Sequence, residues 1–285
     1  MNPLSQEDID LILADIESKE RSSDLGYFSK PFRVFHGERA LFIKLYFPVS
    51  SEEYISYIID IHNEYVRELK HAGLSIPETI IRTRITEKKH QLVIIQDAFR
   101  DEELLRNHII RGSIEEVESL CTMVFDEMLL FRENKNKNID IGFHPTLRNY
   151  CVHENKLWFF DTFPPMLMGQ RDLNRLIIKM SPYGGLLKKI IPVRMINKVT
   201  DEYYHLDTMF TGVVGSCCRL RPDDSENILI FSRQYVNKSV RMTEKEKGDI
   251  LKLLNKPPQL SKIWILIRKI SGNTGKPNIN TPISA

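Results

Sequence analysis

The first hundred residues switch twice between two kinds of hydrophobic period, and this limits the folds open to the chain more than any other feature. "YFSKPFRVF" and "RALFIKLYF" are rich in aromatic and β-branched residues and are joined by the turn "HGE". Runs of this kind read as a β-hairpin. "TIIRTRITEKKHQLVIIQDAF" repeats the pattern around the polar turn "TEKKH". Between the two pairs lies "SSEEYISYIIDIHNEYVRELKHAG", with Tyr54, Tyr57, Ile58, Ile61, Tyr65 and Leu69 at helical spacing. A capping box from Ser50 to Glu53 opens this helix, and Gly73 and Pro77 close it. The predicted order is strand, strand, helix, strand, strand, an antiparallel sheet with one helix. Another helix over about residues 6–18 precedes it, with Ser5 as cap and Ile9, Ile12, Leu13 and Ile16 on one stripe.

After "RDEELLRN" the pattern becomes helical. Ser113 and Glu116 form a second capping box, followed by Ile114, Val117, Leu120, Cys121, Val124, Phe125 and Met128 on one side. A single hairpin interrupts the helices: "YCV" and "LWFF" flank "HENK" within residues 141–165. Beyond it, "DLNRLIIKM", "LLKKIIPVRMINKV" and "TEKEKGDILKLL" carry helical spacing, the last with Thr243 and Glu246 as a box, and "SGNTGKPNINTPISA" reads as a disordered tail. The expected class is α+β in two lobes: an N-terminal lobe over 1–97, a mostly helical C-terminal lobe over 98–271, and a tail over 272–285. A cleft between lobes is a usual place for a ligand.

Composition narrows the function classes. With 285 residues, 42% hydrophobic and 27% charged, the chain has the balance of a soluble globular protein. Forty basic and 38 acidic residues leave a formal charge of +2, which does not suggest a nucleic-acid binder. The acidic, amphipathic start has no apolar core of a secretion signal, and no apolar run reaches transmembrane length. Cys121, Cys151, Cys217 and Cys218 form no C-x-x-C pair, so reduced thiols in a cytoplasmic protein are expected.

The residues that could carry chemistry are few. In the hairpin, Asn149 stands at the start of the first strand and Asp161 at the end of the second, so pairing across "HENK" brings both to one open end. Both offer oxygen ligands suited to a hard cation such as Mg²⁺. Lys44 is a cation inside the apolar run "LFIKLYF", and Glu64 lies on the following helix, able to reach back toward it. Taken singly, each is more often a strand lysine, a helix charge or a turn residue.

Their order is what counts. A strand lysine, a helix glutamate, a change of lobe, a long helix and then Asn-hairpin-Asp resembles the protein-kinase-like superfamily over roughly residues 25–165. The similarity is to its aminoglycoside-phosphotransferase-like and small-molecule-kinase branch. "ALFIKLYF" looks like the strand with the phosphate-contacting lysine, and "HNEYVRELKHAGLSIPET" is similar to the branch's helix and exit, pointing to Glu64. "QLVIIQDAF" resembles the hinge strand, "FHPTLRNY" the catalytic loop, and "WFFDTFPP" the metal-binding aspartate segment. The resemblance implies that Lys44 holds the phosphates of ATP, that Glu64 orients it, that Gln96, Asp97 and Ala98 face the adenine, and that Asn149 and Asp161 hold Mg²⁺. It further implies a small-molecule acceptor with a hydroxyl group.

The chain departs from that pattern in two places. The superfamily places an aspartate five residues before the asparagine, where this sequence has His144, and no Gly-rich phosphate loop is evident, Gly26 and Gly37 being the glycines nearby. One reading is an active phosphotransferase with His144 as a modified base and Asp140 as a conceivable substitute. The other is a pseudokinase that binds nucleotide and works through a protein partner. "KIWILIRKI" at 262–270 mixes cations with apolar residues and reads as a buried element with snorkelling lysines ahead of a membrane or partner contact. "YYHLD" and "CCRLRPDD" are polar groups in the lobe expected to receive the acceptor.

Overall fold

The computed structural model describes residues 4–16, 29–46, 48–167, 169–180, 200, 203–260 and 265. These fall into two compact units, one from the described residues of Met1–Asp60, Pro77–Phe99 and Met180–Pro182, the other from those of Ile61–Ile76, Arg100–Lys179 and Tyr183–Ala285. The architecture is α+β: an antiparallel sheet in the first unit and a helical second unit with one embedded hairpin.

In the first unit, strands β1 (Ser29–His36), β2 (Arg39–Tyr46), β3 (Thr79–Thr86) and β4 (Lys89–Asp97) form a sheet in the order β1-β2-β4-β3. The β3–β4 turn has φ of 50° at Glu87 and 62° at Lys88, the left-handed pair whose twist matches that of the strands it joins. Helix α1 (Gln6–Asp15) starts on the capping box of Ser5 and Asp8, and Ile9, Ile12 and Ile16 pack with Phe32, Val34, Leu41, Ile43, Leu45, Val93 and Ile95 on one sheet face. Alternation along β2 therefore turns Phe42, Lys44 and Tyr46 to the opposite face.

Helix α2 (Glu52–His71) spans 20 residues, and the division between units falls within it. Its start differs from the expectation: the amide of Tyr54 bonds to Oγ of Ser51, one residue beyond the predicted cap. Its buried stripe differs too, running through Ile55, Ile58, His62, Tyr65 and Leu69, while Tyr57 is 53% exposed. At 100° per residue, His62 continues the line of Ile55 and Ile58, which Tyr57 does not.

In the second unit, α3 (Leu105–Arg111) and α4 (Ile114–Asn134, capped by Ser113) precede a two-stranded sheet of β5 (Tyr150–His153) and β6 (Lys156–Phe159). Helices α5 (Gln170–Met180), α6 (Leu206–Leu220), α7 (Ser225–Lys238) and α8 (Glu244–Leu253) follow. Phe125 of α4 stacks on Phe210 of α6 with ring centroids 3.9 Å apart. Arg132 of α4 reaches Glu246 at 2.7 Å, joining that helix to the capping box of α8. The predicted helical run "LLKKIIPVRMINKV" and the 272–285 tail lie outside the described residues, as does nearly all of 262–270.

Ile43→Ala, in the fully buried cluster under α1, is expected to cost about 2–4 kcal/mol in urea unfolding. Ile85→Ala on edge strand β3, where the side chain is 75% exposed, is expected to stay within about 0.5 kcal/mol of the unaltered protein. Equal losses at the two positions would show that the sheet does not bury the face assigned to it.

Candidate functional site

Within the second unit, the loop from Gly142 to Asn149 and the β5–β6 hairpin bring three of the predicted residues together. Tyr150 pairs with Phe159 across the hairpin, so Asn149 and Phe160 emerge side by side, and the Phe160 amide donates to the Asn149 carbonyl at 3.0 Å. Asp161 follows immediately. The turn closes through left-handed Glu154 and Asn155, φ 52° and 57°.

Asn149 is buried, and its Nδ2 donates to the carbonyl of His144 at 3.0 Å. The amide nitrogen is thereby committed to the loop, and among the described residues Oδ1 accepts no hydrogen bond. An amide oxygen fixed in direction, at the end of the hairpin from which Asp161 follows, is with that carboxylate the donor chemistry that a hard divalent cation takes, so these two residues fit Mg²⁺. No three His, Cys, Asp or Glu side chains converge into a metal cluster among the described residues. The third donor of a cation site here has to come from elsewhere.

His144 lies in a different environment from that of a free base. Its ring packs against Tyr203 with centroids 4.4 Å apart. Burial pushes its pKa down to about 4, with the Asp161 charge pulling the other way. The imidazole is neutral throughout the physiological range and weakly basic. The "YYHLD" segment singled out in the sequence is what covers it: the Tyr203 carbonyl accepts the Phe143 amide at 2.7 Å, and a β-carbon at Gly142 would lie 2.9 Å from the Tyr204 ring. Gly142 is required by this close approach. Asp140 is exposed and raises the Tyr204 pKa through its charge, after the larger effect of burial.

Glu64 stands about 200° round α2 from His62, whose side chain meets Thr162 next to Asp161. Its carboxylate is 45% exposed and pairs with Arg67 at 3.2 Å. His62 and Tyr65, which sequence reasoning did not single out for function, are the residues of α2 that reach the site. Their signal was a histidine at the position of an apolar stripe.

In the first unit, Lys44 is 6% exposed, with its ammonium 6.0 Å from the centroid of the Phe42 ring. Lysine is seldom so buried, and here it shares a sheet face with Phe42 and its strand partner Ile94. Gln96 is also buried, donating to Thr79 Oγ1 at 3.0 Å. The Asp97 carboxylate is bonded to Arg39 at 2.6 Å, and the Ala98 amide donates to the Ala40 carbonyl at 2.9 Å. The Asp97 side chain and the Ala98 N–H are thus taken up by the protein itself.

A buried carboxyl lies behind the hairpin: Glu127 of α4 accepts from the Tyr150 hydroxyl at 2.9 Å, and burial raises its pKa to about 7. Two opposed pH dependences follow. Glu127 keeps its proton longer folded than unfolded, so its contribution to stability is full below about pH 4.5 and lost as pH rises through about 7. His144, with its folded pKa depressed from 6.5, contributes above that value and loses it as pH falls toward about 4. Allowing for partial solvent screening, each is worth about 1–2 kcal/mol. In urea unfolding from pH 4 to 8, Glu127→Gln is expected to steepen the acid loss and raise stability at pH 8, and His144→Gln to flatten the acid limb. Unchanged profiles would show that neither group is desolvated.

Among solved structures, the chain is similar to WaaP in complex with acyl carrier protein, at 13% identity over 89% of this chain and 96% of that one, TM-score 0.46. It is similar to a MAP kinase from Leishmania major at 14% identity over 95% and 88%, TM-score 0.38, and to the PAN3 pseudokinase of Neurospora crassa at 12% over 94% and 90%, TM-score 0.33. At such scores the fold assignment rests on the chain's own strands and helices. No curated protein matches the chain. Residues 10–275 match the group described as "Family of unknown function (DUF6206)", and the chain belongs to that family.

Proposed function

We propose that the chain is a kinase-like phosphotransferase that takes ATP with Mg²⁺ and phosphorylates a hydroxyl group of a small molecule. The observation that carries this is the Asn149–Asp161 pair: a hairpin delivers both to one end, and the Asn149 amide is spent on the loop so that its oxygen is the atom presented. Mg²⁺, when bound, would supply positive charge against the negative charge that develops during transfer. Asn149 and Asp161 hold and orient it, and the buried Lys44 is the cation proposed for the phosphates. The backbone of Gln96–Ala98 is the candidate proposed for adenine. Transfer of this kind relies on positioning and electrostatics more than on a strong base, so a neutral His144 is compatible with it.

A second reading is favoured by one observation. His144 is covered by Tyr203 and weakly basic, which suits a pseudokinase that binds nucleotide and acts through a protein partner.

Thermal unfolding with ATP, with and without MgCl₂, tests the shared part of both readings. A ligand that binds only the native state at a hundred times its Kd stabilises by about 2.7 kcal/mol, which is a midpoint shift of several degrees for a chain of this size. The shift is expected to need MgCl₂ and to vanish in Asp161→Asn. No shift in the unaltered protein would remove the nucleotide-binding reading. Phosphate transfer that rises in His144→Asp would separate the enzyme from the pseudokinase, and nucleotide binding without transfer in either form would favour the latter.

A further inference from the structure

The ladder that positions Asp161 ends two residues before it, at Phe159. The backbone on either side of Asp161 is held by contacts of its neighbours. On one side the Phe160 amide is bonded to the Asn149 carbonyl at 3.0 Å. On the other, Thr162 Oγ1 lies 2.9 Å from Nε2 of His62, a residue a hundred positions away in sequence. Both are 1% exposed. A hydrogen bond between a hydroxyl and an imidazole nitrogen so far from solvent is costly to break, because burial raises the cost of a lost partner. The contact is thus directional in a way that apolar packing is not.

The same helical face holds the loop. Tyr65, three residues beyond His62 on the buried stripe, donates its hydroxyl to the Gly142 carbonyl at 3.1 Å, two residues before His144. Ser75, just past the helix, accepts the Phe159 amide at 2.8 Å. The C-terminal half of α2 and its exit hold the loop, the hairpin and the segment after Asp161 at three separate points.

We infer that His62 is a positioning residue for Asp161, acting through Thr162 to fix the angle at which the carboxylate leaves the chain. The inference rests on the proposal that Asn149 and Asp161 take a metal ion, and it adds a residue outside the ligand pair that sets the affinity for that ion. Partners of metal ligands commonly change metal affinity ten- to hundredfold when altered.

The test is the full chain at a fixed ATP concentration, titrated with MgCl₂ and followed by its thermal midpoint. Thr162→Val keeps the shape and removes the hydroxyl, and is expected to need about tenfold more MgCl₂ for half its effect. Its response to ATP alone should be unchanged, and Thr162→Ser should restore the MgCl₂ requirement of the unaltered protein. His62→Gln, the second variant should the valine protein not fold, is expected to shift in the same direction as Thr162→Val. A folded Thr162→Val protein with the unaltered MgCl₂ dependence overturns the role of His62 and leaves the metal site standing. Equal loss of the ATP response with and without MgCl₂ makes His62 a residue of general stability and also overturns it. Absence of any MgCl₂ effect in the unaltered protein overturns the metal site, and the inference with it.

Discussion

The candidate site stands on a knot of four aromatic side chains. Phe131 of α4 meets Phe143 of the loop at 5.0 Å between centroids, and Phe143 meets Phe159 of β6 edge-on at 4.9 Å. Tyr150 of β5 closes the set against Phe159 at 5.4 Å and Phe143 at 6.4 Å. All four are buried. Each contact of this geometry is worth about 0.5–1.5 kcal/mol beyond the area it buries. Two strands of four residues would be marginal alone, so it is this knot, fastened to a long helix, that makes the hairpin a rigid element. The functional candidates are spaced around it. His144 follows Phe143, Asn149 precedes Tyr150, and Asp161 comes two residues after Phe159. Position in sequence relative to an anchored ring thus becomes position in space.

This explains why the loop is so dependent on burial. Gly142, His144 and Asn149 lie over an apolar floor, with Tyr203 and Tyr204 covering the loop. Desolvation favours neutral groups, and the chain supplies them: an imidazole pushed toward its neutral form, and an amide whose donor end is turned inward. An aspartate at position 144 under the same tyrosine would bring a second carboxylate close to Asp161, where like charges resist joint ionisation. Histidine at this position fits the cover that the structure places over it.

Much of the fold was legible because its signals are local. The caps at Ser5, Ser113 and Thr243, the turn "HENK" and the two hairpins of the sheet depend on residues within a few positions of one another. The cap of α2 was displaced by one residue because Ser50 and Ser51 are chemically identical at that level, and only the path of the chain selects Ser51. Helix α6 had no clear signal of its own. It carries Gly212 and Gly215, and a β-carbon at Gly215 would lie 2.7 Å from the Pro258 carbonyl, so tertiary contact decides what propensity would discourage. The pairing of Asn149 with the Asp161 segment could be anticipated from a single hairpin. The partners of His62 and Tyr65 could not, since they lie 100 and 77 residues away, and a histidine on an apolar stripe does not announce its partner.

The charge at the site suggests how it would be used on the proposed reading. Of the three side chains gathered at the loop and hairpin, Asp161 alone carries a formal negative charge; Asn149 cannot, and His144 is neutral at physiological pH. Mg²⁺ gives up its water reluctantly and is usually held by one or two carboxylates together with the phosphates of its substrate. A pair with one carboxylate is at the low end of that range, so much of the attraction for the cation would come from the phosphates themselves. The metal would then enter with the nucleotide, and affinity would depend on how well the single carboxylate is aimed. That places unusual weight on the groups flanking Asp161, where one neighbour is held by the asparagine that shares the site and the other by a histidine buried in a helix face.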